Sequence, residues 1–286
     1  MPLARKPTGA LKMMNKDINE VEFTIFDTET TGLDPASGDR IVEIAGVRFK
    51  ADKEIASFDT LVNPRREISP AAFSVNKITP AMLSTAPFIE QILPDFLKFI
   101  QGSCLCSYNA AFDLNFLHNE LRLVNMGPLG SLEVVDILKM AKRLLPALPS
   151  HALWMVANSL GIKLEQAHRA SSDVELTWEV FKRLKDILAQ KGVIDFKNFI
   201  GLFGFKCASL EDLNNQKIAE IQKAINLGVK LKIKYLSVSQ AEVTEREVLP
   251  KEIKQENRHT YLVGHCSLRN EERLFRIDGI LHLEIV

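Results

Sequence analysis

The sequence predicts a two-part α/β protein, with a mixed sheet flanked by helices and then a small antiparallel β unit. Strand patterns near 21–28, 41–50 and 55–62 precede a helix-rich portion with short strands near 104–108 and 132–136. Helical patterns occur near 88–101, 112–125, 136–144, 150–160 and 171–190. From about residue 218, one helix is followed mainly by strand signals. A chain of 286 residues that is 46% hydrophobic can bury a full-sized core and a smaller one.

Two acids continue the apolar face of the first strand. Val21, Phe23 and Ile25 share one parity, and Asp27 and Glu29 keep it. Because side chains alternate between the faces of a strand, both carboxylates emerge together at its C-terminal end. Clustered carboxylates repel one another unless one is protonated or a hard cation such as Mg²⁺ or Mn²⁺ binds between them. The alternative is that one acid caps the turn at 30–35.

Two further acids fall at the starts of helices. Asp113 lies in the first helical turn after the strand near 104–108, where an acid also complements the helix dipole. Asp173 opens the helix near 171–190, and His168 precedes it on a loop. This spacing lets His168 reach the rim of a site whose floor contains Asp173.

Three motifs in this order resemble the DEDDh exonuclease family, the group that contains the epsilon proofreading subunit of bacterial DNA polymerase III. They are Asp-Thr-Glu-Thr-Thr-Gly at 27–32, Asn-Ala-Ala-Phe-Asp at 109–113 and His-x-x-x-x-Asp at 168–173. The resemblance covers roughly residues 20–188. It implies a ribonuclease-H-like fold and a metal-dependent 3′–5′ exonuclease that releases nucleoside monophosphates from nucleic acid 3′ ends.

The resemblance also implies roles for individual residues. Two Mg²⁺ or Mn²⁺ ions would be bound by four catalytic carboxylates: Asp27, Glu29, Asp113 and Asp173. His168 would be the general base. Substrate contacts are implied for Thr30, Thr31, Leu33, Asn109 and Phe112. For these substrate positions, a purely structural role as turn former or core aromatic is an equal alternative.

The C-terminal portion resembles the WYL domain, a small Sm-like β-barrel associated in bacteria with ligand or nucleic-acid sensing. The matching features are Ile-x-Tyr at 233–235, Thr-x-Arg-x-Val-x-Pro at 244–250 and Tyr-Leu at 261–262. Thr260 replaces the Trp that gives this family its name. Candidate contacts with nucleic acid or a ligand are Arg246, Arg273 and Arg276, and a solvated charged face is the alternative.

These patterns divide the chain into four parts. We expect an N-terminal extension at 1–19, an exonuclease domain at 20–190, a connecting segment at 191–217 and a WYL-like domain at 218–286. The connecting segment is too rich in phenylalanine for a free linker, which indicates that it packs between the domains.

Composition limits the class of protein. The 36 basic and 36 acidic residues cancel, so net charge gives no argument for nucleic-acid binding. Four cysteines without a Cys-x-x-Cys pair are expected to be free buried thiols, which argues against zinc. No apolar run approaches the roughly 20 residues needed to cross a bilayer. We therefore expect a cytoplasmic protein without a membrane partner.

The expected function is removal of nucleotides from single-stranded DNA in repair or proofreading. The expected partner is nucleic acid with a free 3′ end, and a DNA polymerase or another repair protein is a further candidate. Two alternatives remain open, an RNA-processing 3′–5′ exoribonuclease and a non-catalytic nucleic-acid-binding regulator. DNA and RNA present the same phosphodiester, so the sequence does not choose between them.

Overall fold

The first part of the chain folds around a five-stranded mixed sheet in a computed structural model that describes residues 13–130, 132–163 and 168–286. Its strands are β1 (Glu22–Thr30), β2 (Ile41–Lys50), β3 (Lys53–Leu61), β4 (Cys104–Ser107) and β5 (Val134–Asp136). The order is β3-β2-β1-β4-β5, with antiparallel pairing from β1 to β3 and parallel pairing from β1 to β5. The predicted mixed sheet is confirmed, and β1 lies at its centre.

Helices cover both faces of this sheet. In chain order they are α1 (Pro70–Asn76), α2 (Pro80–Ser84), α3 (Ile89–Ile100), α4 (Ala110–Leu123), α5 (Ile137–Leu144), α6 (Leu153–Ser159) and α7 (Ala170–Gln190). On one face, Phe23 and Ile25 of β1 share a buried cluster with Phe181 of α7. On the other face, Phe26 of β1 is buried with Phe96 of α3. The alternation along β1 therefore directs Asp27 and Glu29 toward the face that α7 covers.

The sequence patterns do not predict the short helices α1 and α2. Each begins with a proline after a capping hydroxyl, since Ser69 accepts a hydrogen bond from the Ala72 N–H and Thr79 accepts one from the Met82 N–H. Helices of seven and five residues are too short to show a 3.6-residue period in the sequence. The end of α1 nevertheless reaches the acidic end of β1.

The connecting segment belongs to the core of the first sheet. It contains α8 (Phe196–Phe203), whose Phe196, Phe199 and Phe203 are fully buried. The ring of Phe199 lies 5.8 Å from that of Phe23 in β1. The prediction that this segment packs between the domains agrees with the structure, because its buried cluster includes both Phe23 of β1 and Leu236 of the C-terminal part.

The next helix begins earlier than the sequence indicates. Helix α9 spans Ala208–Leu227 and ends at Gly228, which adopts a left-handed conformation with φ 63°. Its first turns carry the polar residues Glu211 and Asp212, which hide the helical period before Ile218. The expected boundary at 217/218 therefore lies inside α9.

The C-terminal part is a five-stranded antiparallel sheet. Its strands are β6 (Leu231–Leu236), β7 (Val243–Glu256), β8 (His259–Cys266), β9 (Glu271–Arg276) and β10 (Ile280–Ile285), in the order β10-β6-β7-β8-β9. Its core combines side chains of the strands with Ile221 and Ala224 of α9. Within the described residues, β9 and β10 do not pair, so the expected antiparallel unit is present as an open sheet without barrel closure.

A buried ion pair joins the two parts. Arg143 of α5 donates to Asp278 Oδ1 at 2.9 Å and to the carbonyl of Leu202 at 3.2 Å. Burial raises the pKa of Asp278, but Arg143 and Arg276 outweigh that effect and hold it far below its ordinary value. The C-terminal sheet is therefore attached through a charged and largely buried contact.

Two expectations from composition can be compared with the structure. All four cysteines are free and buried, as expected. Within the described parts of the chain, none of the helices is both long and apolar enough to span a bilayer.

Candidate active site

Three carboxylates meet at the C-terminal end of β1. Asp27 and Glu29 come from β1 and Asp173 from the first turn of α7, and one oxygen of each lies within 4.8 Å of the others. The sheet supplies two acids because their parity is the same, and α7 supplies the third because it packs on that face. The structure thus brings together three of the four acids that the sequence predicts to share a site.

The electrostatics of this cluster disfavour full ionisation. Burial raises the pKa of Asp27 well above its ordinary value, and the charges of Asp113 and Asp173 raise it further. Burial, followed by the charge of Asp173, raises the pKa of Glu29 to about 8. A bound dication would reverse this balance, because it favours the charged form of each carboxyl.

The fourth acid, Asp113, lies behind the cluster. It is buried at the start of α4, where Oδ1 accepts hydrogen bonds from the Thr28 N–H at 3.0 Å and the Thr28 hydroxyl at 2.7 Å. The Ser107 hydroxyl donates to the other oxygen. Burial raises the pKa of Asp113 to about 6, although these hydrogen bonds act in the opposite direction. Asp113 therefore contributes charge beside Asp27 but stands outside the group of three.

His168 lies two residues before α7. Its side chain is exposed, and its backbone adopts a left-handed conformation with φ 50°. The next residue, Arg169, is held by Glu43 of β2, which has a fully buried side chain. The His168 backbone therefore lies directly before a firmly held helix start.

Two functional candidates escaped the sequence analysis. Glu43 lies opposite Glu29 in the β1–β2 pairing and bonds the start of α7. Its signal was an acid inside the apolar run Ile41-Val42-Glu43-Ile44, which looks like an ordinary strand. Asn76 ends α1, where its side chain lies close enough to Glu29 to lower the pKa of that carboxyl and donates to the Thr30 carbonyl at 3.3 Å. No sequence signal singles out Asn76.

The turn after β1 is held rigidly and presents one apolar side chain. The Thr31 hydroxyl donates to Asp39 at 3.0 Å, and the Thr30 hydroxyl donates to the Gly32 carbonyl at 2.6 Å. A Cβ atom on Gly32 would collide with the Asp39 carboxylate, so a larger residue here would force Asp39 to move. Leu33 is 84% exposed. The two threonines therefore have structural bonds, whereas Leu33 is available to a substrate.

The second motif lies on the other side of β1. Asn109 is exposed, has φ 73° and directly precedes α4. Phe112 is half-buried, with its ring 5.0 Å from that of Phe116. The backbone N–H groups of Asn109 and Ala110 lie close enough to Asp136 to lower the pKa of its carboxyl, although burial raises that pKa more strongly. Asn109 is thus open to solvent, and Phe112 combines a packing role with a partly open face.

The C-terminal arginines differ in their surroundings. Arg276 donates to both oxygens of Asp278, at 3.0 and 2.6 Å. Arg273 is 43% exposed at its side chain and lies 3.8 Å from Glu271. Arg246 is half-buried on β7. Arg276 is committed to the contact between the two parts, so Arg246 and Arg273 are the better candidates for binding phosphate.

The donor set of the cluster fits a hard divalent cation. Asp27, Glu29 and Asp173 offer only carboxylate oxygens, the ligands that Mg²⁺ and Mn²⁺ prefer. The unfavourable charge of the cluster without a cation is consistent with such a site.

Comparisons with known proteins agree with this geometry. The Exonuclease family matches residues 24–181, and the WYL domain matches residues 216–285. A DNA polymerase III subunit epsilon of Treponema pallidum is 44% identical over 163 residues, which are 56% of this chain and 75% of that protein. A DNA polymerase III subunit epsilon-like protein of Rhodobacter capsulatus is 38% identical over 192 residues, or 66% of this chain.

The extent of these matches differs. The match spans only 27% of the Rhodobacter protein. Among solved structures, the nuclease domain of 3′hExo, a DEDDh family member bound to rAMP, covers 62% of this chain and 96% of its own. Its TM-score is 0.52 at 19% identity, which supports the fold. The chain therefore belongs to the Exonuclease family, and its residues 216–285, which follow the exonuclease fold, match the WYL domain.

Proposed function

We propose that this chain is a divalent-metal-dependent 3′–5′ exonuclease that releases nucleoside monophosphates from the 3′ ends of nucleic acid. The observation that carries the proposal is the group of three carboxylates at the end of β1. In a chain of this family, an acidic cluster of this kind is suited to binding a phosphodiester through cations.

The acids have distinct parts in this proposal. Asp27, Glu29 and Asp173 would hold two Mg²⁺ or Mn²⁺ ions, with Asp113 contributing from behind Asp27. Such ions lower the pKa of an attacking water and stabilise the leaving 3′-oxygen. The negative cluster would otherwise repel the scissile phosphate, so the carboxylates serve the reaction only when their charge is compensated.

His168 is the proposed general base. Its exposed side chain allows it to approach a water at the rim of the cluster. A neutral imidazole can accept a proton from water near neutral pH. The proton leaves through an exposed imidazole, which can exchange it with solvent.

The remaining candidates would bind the strand. Leu33 is proposed to contact the terminal base, with Thr30 and Thr31 fixing the turn that carries it. Asn109 and Phe112 would face the same nucleotide from the second motif. Arg246 and Arg273 would contact phosphates further along the strand, and Arg276 remains a weaker candidate because Asp278 occupies it.

Single-stranded DNA is the proposed substrate, with repair or proofreading as its setting. The name of the Treponema relative, a polymerase subunit, supports this choice and makes a DNA polymerase a candidate partner. RNA is the second candidate substrate, since the 3′hExo domain of the same fold was solved bound to rAMP. We also propose a cytoplasmic location, a 20–190 exonuclease domain whose core is completed by α8, and a C-terminal domain that begins within α9.

Matched DNA and RNA strands labelled at the 3′-terminal nucleotide test this function. With Mn²⁺ we expect release of labelled nucleoside monophosphate, faster from DNA than from RNA, and none with EDTA. A strand blocked at its 3′ end is the control and should resist digestion. Faster release from RNA would favour the exoribonuclease, and strand binding without any cleavage would favour the non-catalytic regulator.

A further inference from the structure

A carboxylate outside the metal cluster holds the start of α7. Glu43 of β2 has a fully buried side chain, and Arg169 Nε lies 3.1 Å from each of its oxygens. Arg169 Nη2 also donates to Oε1. The Ala170 N–H donates to Oε2 at 2.9 Å. We name these three residues the Glu43 clamp.

The clamp replaces a normal helix cap. Arg169 occupies the N-cap position of α7 and makes no capping bond with its own side chain. The first N–H groups of a helix need partners outside the helix. Glu43 provides such a partner to Ala170 from a neighbouring strand, so the chain direction at the helix start is fixed by the sheet.

The position of His168 depends on this helix start. His168 precedes Arg169 directly, and its left-handed backbone is a conformation that non-glycine residues rarely adopt. Such a conformation persists only where the surroundings impose it. The clamp bonds Arg169, the residue directly after His168, and so acts on the chain that follows the histidine.

The Glu43 clamp has an unfavourable free-energy cost if its role is purely structural. Glu43 lies directly opposite Glu29 in the strand pairing, where like charges are unfavourable. A buried ion pair is also often no more stable than apolar residues of similar volume. An apolar side chain at this position would cover the sheet equally well but would leave the helix start unheld.

We propose that Glu43 is a positioning residue for the reaction, which acts through Arg169 and Ala170 to hold His168 at the catalytic cluster. The proposal rests on the proposed function, in which His168 is the general base. Glu43 itself touches neither the substrate nor the reacting atoms.

A second buried glutamate provides a matched control. Glu120 of α4 accepts hydrogen bonds from Arg40 Nε at 2.8 Å, Arg40 Nη2 at 2.6 Å and the Ile41 N–H at 3.1 Å. The bonds are of the same kind, again to an arginine and the next backbone amide. They hold the start of β2 instead of the start of α7, so Glu120→Gln reproduces the chemistry without acting on His168.

Steady-state kinetics of Glu43→Gln and Glu120→Gln, each alone and combined with His168→Ala, test the proposal. At saturating Mn²⁺, Glu43→Gln should lower kcat by at least about tenfold. The loss should not exceed the roughly 10²–10⁴-fold contribution of a positioned general base. KM for a short strand should stay unchanged. In the His168→Ala background, Glu43→Gln should have no further effect, whereas Glu120→Gln should change kcat by the same factor in both backgrounds.

The proposal is overturned if Glu43→Gln leaves kcat unchanged, or lowers it equally with and without His168. Arg169→Lys, which keeps the charge but loses the paired bonds, should repeat the non-additivity if Glu43→Gln does not fold. Amide hydrogen exchange separates a failure of the clamp from a failure of the proposed activity. Glu43→Gln should speed exchange at 168–170 and Glu120→Gln at Ile41, and unchanged exchange at 168–170 would contradict the clamp without any reference to cleavage.

Discussion

Glu29 gives the protein without metal a pH-dependent stability. Its pKa rises from the model-peptide value of 4.5 to about 8 on folding, first because of burial and then because of Asp173. Between these two pH values the folded chain binds a proton that the unfolded chain has lost. The free energy of unfolding should therefore fall as pH rises from about 5 to 8.

Denaturation in EDTA across this pH range checks the expectation. Glu29→Gln should flatten the decline, because the amide does not titrate. Glu175→Gln, an exposed change on α7, serves as the control and should keep the wild-type slope. A wild-type protein whose stability rises from pH 5 to 8 would contradict this account of the surroundings of Glu29.

His168 permits a test of the proposed base. His168→Ala should lower kcat by roughly 10²–10⁴-fold, because proton transfer by a positioned group is lost. The affinity for Mn²⁺ should change little, since the three carboxylates remain. His118→Ala, an exposed histidine on α4, is the control for kcat. If calorimetry found that His168→Ala abolished Mn²⁺ binding, His168 would be a ligand and the assignment as base would be wrong.

At the scale of elements, the short helix α1 supports a proposed metal ligand. The Asn76 side chain lies beside Glu29 and lowers its pKa, in opposition to the larger effect of burial. Asn76→Ala should weaken Mg²⁺ binding about 10- to 100-fold, the usual cost of losing a partner that orients a ligand.

Titration calorimetry and metal-dependent cleavage measure this effect together. At saturating Mg²⁺, kcat of Asn76→Ala should approach that of the wild type, because the catalytic groups are unchanged. Ser74→Ala, an exposed change on the same helix, should leave Mg²⁺ affinity intact. Equal Mg²⁺ affinities of the Asn76→Ala variant and the wild type would show that α1 does not support the metal site.

The elements also show what sequence alone reveals. The parity of β1 predicts a shared face for Asp27 and Glu29 because a strand has a fixed two-residue repeat. The sequence predicts that Asp173 lies at the start of α7, because the first turn of a long amphipathic helix is recognisable. Asn76 is not predictable in this way, since a short helix brings it to Glu29 through tertiary packing. The role of Glu43 is equally unpredictable from the sequence, because only the register of β1 and β2 places it opposite Glu29.

At the scale of the whole molecule, the connecting segment completes the core of the exonuclease part. Phe199 is fully buried, and its ring lies within 6.1 Å of the ring of Phe181 in α7. Phe199→Ala should lower the free energy of unfolding by about 3–5 kcal/mol through lost burial and a cavity. A chain cut near Gln190 should aggregate, because it removes α8 from this core.

Urea denaturation measures the cost. Leu268→Ala, at a side chain that is 64% exposed, should change the free energy of unfolding by no more than about 0.5 kcal/mol. A similarly small change for Phe199→Ala, or a soluble and folded chain ending at Gln190, would show that α8 is dispensable.

The division of the molecule into two parts, and the contact between them, could be predicted from the sequence only in part. Alternating patterns indicated the C-terminal strands, but the contact of that sheet with α5 depends on Arg143 and Asp278, which are far apart in the chain. The same contact occupies Arg276, so an arginine that looks suited to phosphate has a partner within the fold. Charge patterns in a sequence do not reveal such long-range pairing.

The most direct test of the central claim is digestion of a 5′-labelled DNA strand by the wild type and by Asp27→Ala. With Mn²⁺ the wild type should shorten the strand stepwise from its 3′ end. Asp27→Ala should leave it intact while the metal-free protein melts at a higher temperature, because the cost of burying a carboxyl beside Asp113 and Asp173 is removed. Asp186→Ala, which removes an exposed acid on α7, should cleave like the wild type. Mn²⁺-dependent shortening by purified Asp27→Ala at the wild-type rate would contradict the account.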